Sequence, residues 1–171
     1  MIGGSVRNTL AFAVTAVLLT ASAGTKASED AHGLFESRCA LCHGDHAGAF
    51  ARQSLYLAED GPRGRSSGSS VEAFLPSHAG GHSAEVVTKL TEMFRHQLAA
   101  GGVYERRCRI CHDKARDLAR GELIVIDARL VGRYTGRDIR SFLDAHGRLE
   151  PTEVTPLYEL LRWQVESATE D

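Results

Sequence analysis

The chain has 171 residues, of which 43% are hydrophobic and 25% charged, and its formal net charge at pH 7 is −2. These values are ordinary for a soluble globular protein and exclude a disordered or fibrous chain. The slight negative charge also argues against nucleic acid as a partner, because proteins that bind it carry a basic surface. We therefore expect one medium-sized domain or two small ones, and no nucleic-acid partner.

Residues 1–23 have the pattern of a secretory signal peptide. Arg7 supplies positive charge, an apolar stretch follows over residues 10–19, and Ala21-Ser22-Ala23 is a small-residue cleavage site. An uncleaved membrane anchor is the alternative, but this stretch is shorter than the roughly 20 apolar residues that cross a bilayer. We expect cleavage near Ala23 and a mature protein that is periplasmic and does not span the membrane.

All four cysteines lie in two C-x-x-C-H motifs, at residues 39–43 and 108–112. Two cysteines at this spacing can both form thioether bonds to the vinyl groups of one haem, and the next histidine then reaches the iron. A zinc site or disulfide bonds are alternatives, but the stretch between the motifs is far longer than in zinc ribbons. We predict two covalently bound haems c. The thioether residues are Cys39, Cys42, Cys108 and Cys111, and the proximal iron ligands are His43 and His112.

The two motifs belong to a longer internal repeat. The segment GLFESRC at residues 33–39 returns as GVYERRC at 102–108, and FLPSH at 74–78 returns as FLDAH at 142–146. Residues 88–98 similarly parallel residues 155–165. Similarity at a nearly fixed spacing is typical of duplicated structural units. We predict a first unit over residues 24–98 and a second over residues 99–171.

Each unit ends in a segment whose apolar residues recur at helical spacing, which predicts a helix packed on the core. These residues are Val86, Leu90, Met93, Phe94 and Leu98 in the first unit, and Val154, Leu157, Leu160, Leu161 and Val165 in the second.

With these features the chain resembles class I cytochrome c, in which a helix with a glycine-x-aromatic element precedes C-x-x-C-H and crosses a final helix. The resemblance covers residues 28–98 and 99–168. It implies an all-α fold of two tandem small helical units, each wrapped around one covalently bound haem. The family usually provides a methionine before the last helix as the second axial ligand. This chain has only Met1 and Met93, and Met93 lies within an apolar helix.

Histidines stand where the resemblance places that methionine. His78 and His146 each precede the final helix of a unit, at equivalent positions of the repeat. We predict that both are distal iron ligands, so that both haems are bis-histidine. In the first unit, His82 is an alternative to His78 as the distal ligand. The histidines without a histidine counterpart in the other unit are expected to face solvent: His32, His46 and His96.

Glycine-containing stretches at residues 61–70 and 131–137 separate each motif from its distal histidine and are predicted to be flexible loops. Their arginines are candidates for holding haem propionates through charge-assisted hydrogen bonds. Exposed loop arginines, however, commonly have no specific partner. The candidates are Arg63, Arg65, Arg133 and Arg137.

Two axial histidines leave an iron no open position, so the expected function is electron transfer, with no catalytic residue. Histidine in place of methionine also predicts a low reduction potential. The partners are expected to be redox proteins, and the alternatives of a free carrier and of a subunit of a larger membrane or periplasmic complex stay open. The acidity of the chain predicts a basic patch on the partner. The alternative is a small diheme enzyme or a gas-binding sensor in which His78 is labile.

Overall fold

The computed structural model describes Met1 and residues 29–169, so the predicted signal peptide lies outside the described residues apart from Met1. Over residues 29–169, two sets of elements follow each other in nearly the same order. None of the helices in this part of the chain is both long and apolar enough to cross a bilayer.

The first set begins with the helix that precedes the first cysteine motif and ends in a long helix. Its elements are α1 (Ala31–Arg38), α2 (Ala40–His43), α3 (Ala47–Ser54), β1 (Leu55–Ala58), β2 (Gly61–Gly64), α4 (Val71–Phe74), a 3₁₀-helical segment (Leu75–Gly80) and α5 (Ala84–Ala99).

The second set follows the same order, with a π-helical turn where the first set has α1 and with no described counterpart of α2 or of the 3₁₀-helical segment. Its elements are that turn (Tyr104–Cys108), α6 (Ala115–Glu122), β3 (Leu123–Ile126), β4 (Arg129–Gly132), α7 (Ile139–Leu143) and α8 (Pro151–Thr169).

The predicted all-α class is wrong, because each set contains an antiparallel hairpin. Of the residues that the structure describes, 59% are helical and 13% are in strands, so the fold is mixed. Leu55 pairs with Gly64 in the first hairpin, and Leu123 pairs with Gly132 in the second. The predicted loops at residues 61–70 and 131–137 therefore begin as strands. In the second hairpin a run of branched apolar residues suits a strand, and both turn residues between β3 and β4 have positive φ, as in a tight type I′ turn.

The long helices supply the core, as the apolar spacing predicts. Leu90 and Met93 of α5 and Leu157 of α8 are each 0% exposed. Ser83 caps the start of α5: its hydroxyl accepts a hydrogen bond from the Val86 N–H and satisfies one of the free amides of the first turn. The predicted helical stripes are thus confirmed as core.

The two sets pack directly against each other. Helix α5 contacts α8, and Trp163 of α8 packs on the core cluster of the first set. The connection is short, because α5 ends at Ala99 and the π-helical turn begins at Tyr104. Ion pairs also bridge the sets: Arg52 with Glu105 at 2.9 Å, Arg116 with Glu36 at 3.3 Å, and Arg120 with Asp30.

The expectation that His32 and His96 face solvent is wrong. His32 Nε2 lies 3.1 Å from Gln164 Oε1, and its ring centroid is 6.0 Å from that of Trp163. The His96 ring stacks on Trp163 at 5.3 Å and 19°. Both histidines are half-buried at the contact between the sets, whereas His46 is exposed as predicted.

Candidate functional site

The fold brings the histidine of each C-x-x-C-H motif opposite a second histidine. His43, at the end of α2, faces His78, with ring centroids 6.0 Å apart and ring planes at 41°. In the second set His112 faces His146, with centroids 6.2 Å apart and planes at 59°. The structure therefore brings together, in both sets, the two histidines that the sequence predicts as proximal and distal ligands.

The spacing of these rings fits one metal ion between each pair. A metal–imidazole bond is about 2 Å long and the ring nitrogen lies about 1.1 Å from the ring centre, so two histidines on opposite sides of one ion have centroids about 6.2 Å apart. Two neutral imidazoles are also a donor set that haem iron accepts. The residues present thus fit a bis-histidine haem.

One helical turn carries each cysteine pair together with its histidine. The N–H of His43 donates to the carbonyl of Cys39 at 3.0 Å, and the N–H of His112 donates to that of Cys108 at 2.9 Å. All four cysteines are free of disulfide bonds, and the second cysteine of each motif is exposed. Burial raises the pKa of the Cys39 and Cys108 thiols. Burial also lowers the pKa of His43, and the nearby His78 lowers it further.

A phenylalanine packs against each predicted distal histidine and precedes it by four residues in the chain. The Phe142 ring stacks on His146 at 4.4 Å and 22°. Phe74 lies 4.6 Å from His78 at 33°. These contacts restrict how each imidazole turns, which makes both phenylalanines positioning residues. The sequence signal for this contact is the phenylalanine that precedes each histidine by four residues in the repeated F-L-x-x-H segment.

Two crevices flank His146. One has a volume of about 490 Å³ and contains both cysteines of the second motif, His112 and His146 in its lining. The other has a volume of about 380 Å³ and is lined in part by Arg137, Phe142 and His146. His146 therefore borders both crevices, and His112 borders the larger of the two.

Two of the four candidate propionate arginines bind the protein itself. Arg63 donates to the Asp60 carboxylate at 3.0 Å and to the Gly68 carbonyl at 2.7 Å. Arg133 donates to three backbone carbonyls at or next to the end of α6, at 2.9–3.1 Å. Arg65 is exposed. Arg137 lies 5.2 Å above the Phe142 ring and lines the crevice beside His146, so it alone of the four is placed next to a histidine pair.

His82, the other candidate in the first unit, is not the ring that faces His43. It is half-buried, and its Nδ1 is buried without a hydrogen-bond partner among the described residues. Within residues 29–169 no three His, Cys, Asp or Glu side chains gather as a metal-binding group. A haem site differs from such a group because the porphyrin nitrogens complete the coordination of the iron, and the protein supplies only the two axial ligands.

Comparison with family models, with curated proteins and with solved structures finds no match to the chain. The resemblance to class I cytochrome c therefore stays an interpretation of the motifs. The ligand assignments stay predictions that are argued from the residues themselves.

Proposed function

We propose that this protein is a diheme c-type cytochrome that carries single electrons between redox proteins. The observation that supports this most strongly is the recurrence of one arrangement: each C-x-x-C-H histidine faces a second histidine at about 6 Å between ring centroids. A fortuitous pair of nearby histidines would not be expected at equivalent positions of both repeats.

The residues of the chain have separate tasks in this proposal. In each unit the two cysteines would hold the haem through thioether bonds, each formed by adding a thiol S–H across a vinyl group, and the two histidines would be the protein's ligands to the iron. A bound haem would supply a ferric/ferrous couple at each site. With two histidines as ligands, each iron would offer no free coordination position to small molecules such as oxygen or peroxide. The absence of axial methionine favours a low reduction potential.

We further propose that the protein works in the periplasm, where its partners are other redox proteins or a membrane complex. The pattern of residues 1–23 supports export. Attachment to haem would also protect the four thiols from forming disulfide bonds in an oxidising compartment.

Spectroscopy of the holoprotein tests the proposal. Protein matured by a cytochrome c assembly system should carry the mass of two haems, give low-spin electron paramagnetic resonance signals when oxidised, and lack the methionine–iron absorption band. Carbon monoxide added to the reduced protein should leave its spectrum unchanged. A spectral shift at one haem would favour the gas sensor or small enzyme instead. If the protein does not bind haem, the proposal is wrong.

Single substitutions test the ligands. His146→Ala should convert one of the two haems to high-spin and leave the other low-spin, and His78→Ala should do the same to the other haem. His82→Ala is the matched control and should leave both haems low-spin. If His82→Ala creates the high-spin signal and His78→Ala does not, the assignment in the first unit is wrong.

A further inference from the structure

The Arg137 side chain lies next to the second histidine pair and contacts it through Phe142. Its guanidinium is 5.2 Å above the centre of the Phe142 ring, and that ring stacks on His146 at 4.4 Å. The neighbouring carboxylate of Asp138 accepts hydrogen bonds from the N–H and the hydroxyl of Ser141, both at 3.0 Å. Within the described part of the chain the Arg137 guanidinium has no ion-pair partner, so its charge is available to a ligand.

The two units have the same backbone but different side chains at this position. The N–H of Gly132 donates to the carbonyl of Arg137 at 2.9 Å, and the N–H of Gly64 donates to the carbonyl of Ser69 at 3.0 Å. Arg137 and Ser69 are therefore equivalent in the repeat. Each is fixed by the end of a hairpin, but only the second unit has a guanidinium there.

The smaller crevice beside His146 suits an anionic edge of a bound haem. Of the residues in its lining, Arg137 is the one with a permanent charge. The larger crevice beside the same histidine has Cys108 and Cys111 in its lining. Haem has its vinyl groups on one edge and its two propionates on the opposite edge. Thioether bonds to the two cysteines therefore leave the propionates for a place away from them, and the smaller crevice has neither cysteine in its lining.

We propose that Arg137 binds a propionate of the second haem through a charge-assisted hydrogen bond, and that the first haem lacks this contact because Ser69 has no charge. This inference rests on the proposed function and deepens it. A propionate charge near the iron stabilises the ferric state, and a guanidinium on that propionate offsets the effect. Arg137 thus raises the reduction potential of the second haem but not that of the first.

A redox titration of the holoprotein, followed by electron paramagnetic resonance, tests the inference. Arg137→Gln should favour the ferric state of one haem about threefold, which is about 28 mV for a one-electron couple because tenfold is 59 mV. The other haem should keep the wild-type potential. The low-spin signal that His146→Ala removes identifies the second haem, and the shift should belong to that signal. No shift, or a shift at the other haem, would overturn the inference.

A conservative variant separates the charge from packing on Phe142. Arg137→Lys keeps a positive charge and should retain more than half of the difference between wild type and Arg137→Gln. The propionate bending band in the resonance Raman spectrum should change in Arg137→Gln, because that band responds to hydrogen bonding of the carboxylate. If lysine behaves like glutamine, or if the Raman band is unchanged, Arg137 has only a packing role and the inference is wrong.

Arg129 provides the matched control. It is exposed at the start of β4 on the same hairpin and is not in the lining of either crevice. Arg129→Gln changes the net charge by the same amount as Arg137→Gln and should leave both potentials at their wild-type values. An equal shift in the two variants would show a general effect of charge and would contradict a specific contact.

The haem spectra distinguish failure of this inference from failure of the proposed function. If each arginine variant keeps two low-spin haems and the potentials do not move, the propionate contact is wrong and the electron carrier stands. If the wild-type protein binds no haem, the proposed function itself is wrong.

Discussion

Tyr104 fills in the second unit the buried position that Phe35 fills in the first. The two side chains are 2% and 1% exposed. The Tyr104 hydroxyl is buried and has no hydrogen-bond partner among the described residues. Burial also raises the pKa of the phenol far above its usual range, which keeps it neutral at all pH values of interest. The repeat therefore contains one position where the two units differ by a single unsatisfied polar atom.

Tyr104→Phe should raise the free energy of unfolding by about 1 kcal/mol, because a buried hydroxyl without a partner costs more than the hydrogen atom that replaces it. Denaturant unfolding followed by circular dichroism measures this. Phe35→Tyr is the reverse control and should lose stability. A loss of stability in Tyr104→Phe would show that the hydroxyl has a partner in the loaded protein.

Protonation of His32 should weaken the contact between the two units. Burial holds the pKa of His32 below its usual value, and the charge of Arg116 lowers it further. Arg120 acts in the same direction, while Asp30 and the hydrogen bond to Gln164 oppose them. As the pH falls below about 6.5, the unfolded chain takes up a proton that the folded protein does not, so stability falls until the lower folded pKa is reached.

Unfolding measured at about pH 7.5 and about pH 5.5 should therefore show a larger loss of stability in the wild type than in His32→Gln. Comparing the two proteins removes the contributions of the other histidines, including His43 and His96, whose pKa values are also lowered. Trp163 is the only tryptophan and lies against His32, so its fluorescence reports the same event. An equal loss in both proteins would rule His32 out.

Arg133 should contribute to stability, because its guanidinium donates to the carbonyls of Arg120, Gly121 and Leu123. Arg133→Met should reduce the free energy of unfolding by about 1 kcal/mol, since those carbonyls would exchange a charge-assisted hydrogen bond for water. Arg65 occupies the equivalent place in the repeat and is exposed, so Arg65→Met should change stability little. Equal effects of the two substitutions would contradict this role.

Phe142→Leu should loosen His146, the proposed distal ligand of the second haem, because stacking restricts the orientation of its ring. An aromatic contact of this kind is worth about 1 kcal/mol, so any population with His146 dissociated should rise about fivefold. The high-spin electron paramagnetic resonance signal and the binding of carbon monoxide both measure that population. Tyr134→Leu, at a residue 79% exposed, is the control and should change neither.

Much of the fold was predictable from two kinds of pattern. The helical spacing of apolar residues identified α5 and α8, and the repeat placed equivalent elements in both units. The hairpins were missed for different reasons. The run Leu123–Ile126 is rich in branched apolar residues and is a detectable strand signal. The segment Gly61–Gly64 has no such signal, since glycine and proline are disfavoured in strands, and it forms β2 through its pairing with β1.

The candidate site also has some features that the sequence predicts and others that it does not. The pairing of His43 with His78 could be predicted because a repeat aligns residues that perform the same task in each unit. The hydrogen-bond partners of an arginine could not be predicted, because they depend on which carbonyl or carboxylate the folded chain brings near. Arg63 and Arg133 lie where the protein itself supplies acceptors. His32 was mistaken for a surface residue because its partner, Gln164, is remote in sequence.

The ion pair of Arg52 with Glu105 and the stack of His96 on Trp163 join the units on facing surfaces, and only a few residues connect them along the chain. The second unit has little freedom to swing relative to the first. Electron exchange between the two haems we propose would then proceed at one fixed separation. The rate of this exchange should follow a single exponential and should not change with solvent viscosity. A hinged pair of units would instead give a rate that depends on viscosity.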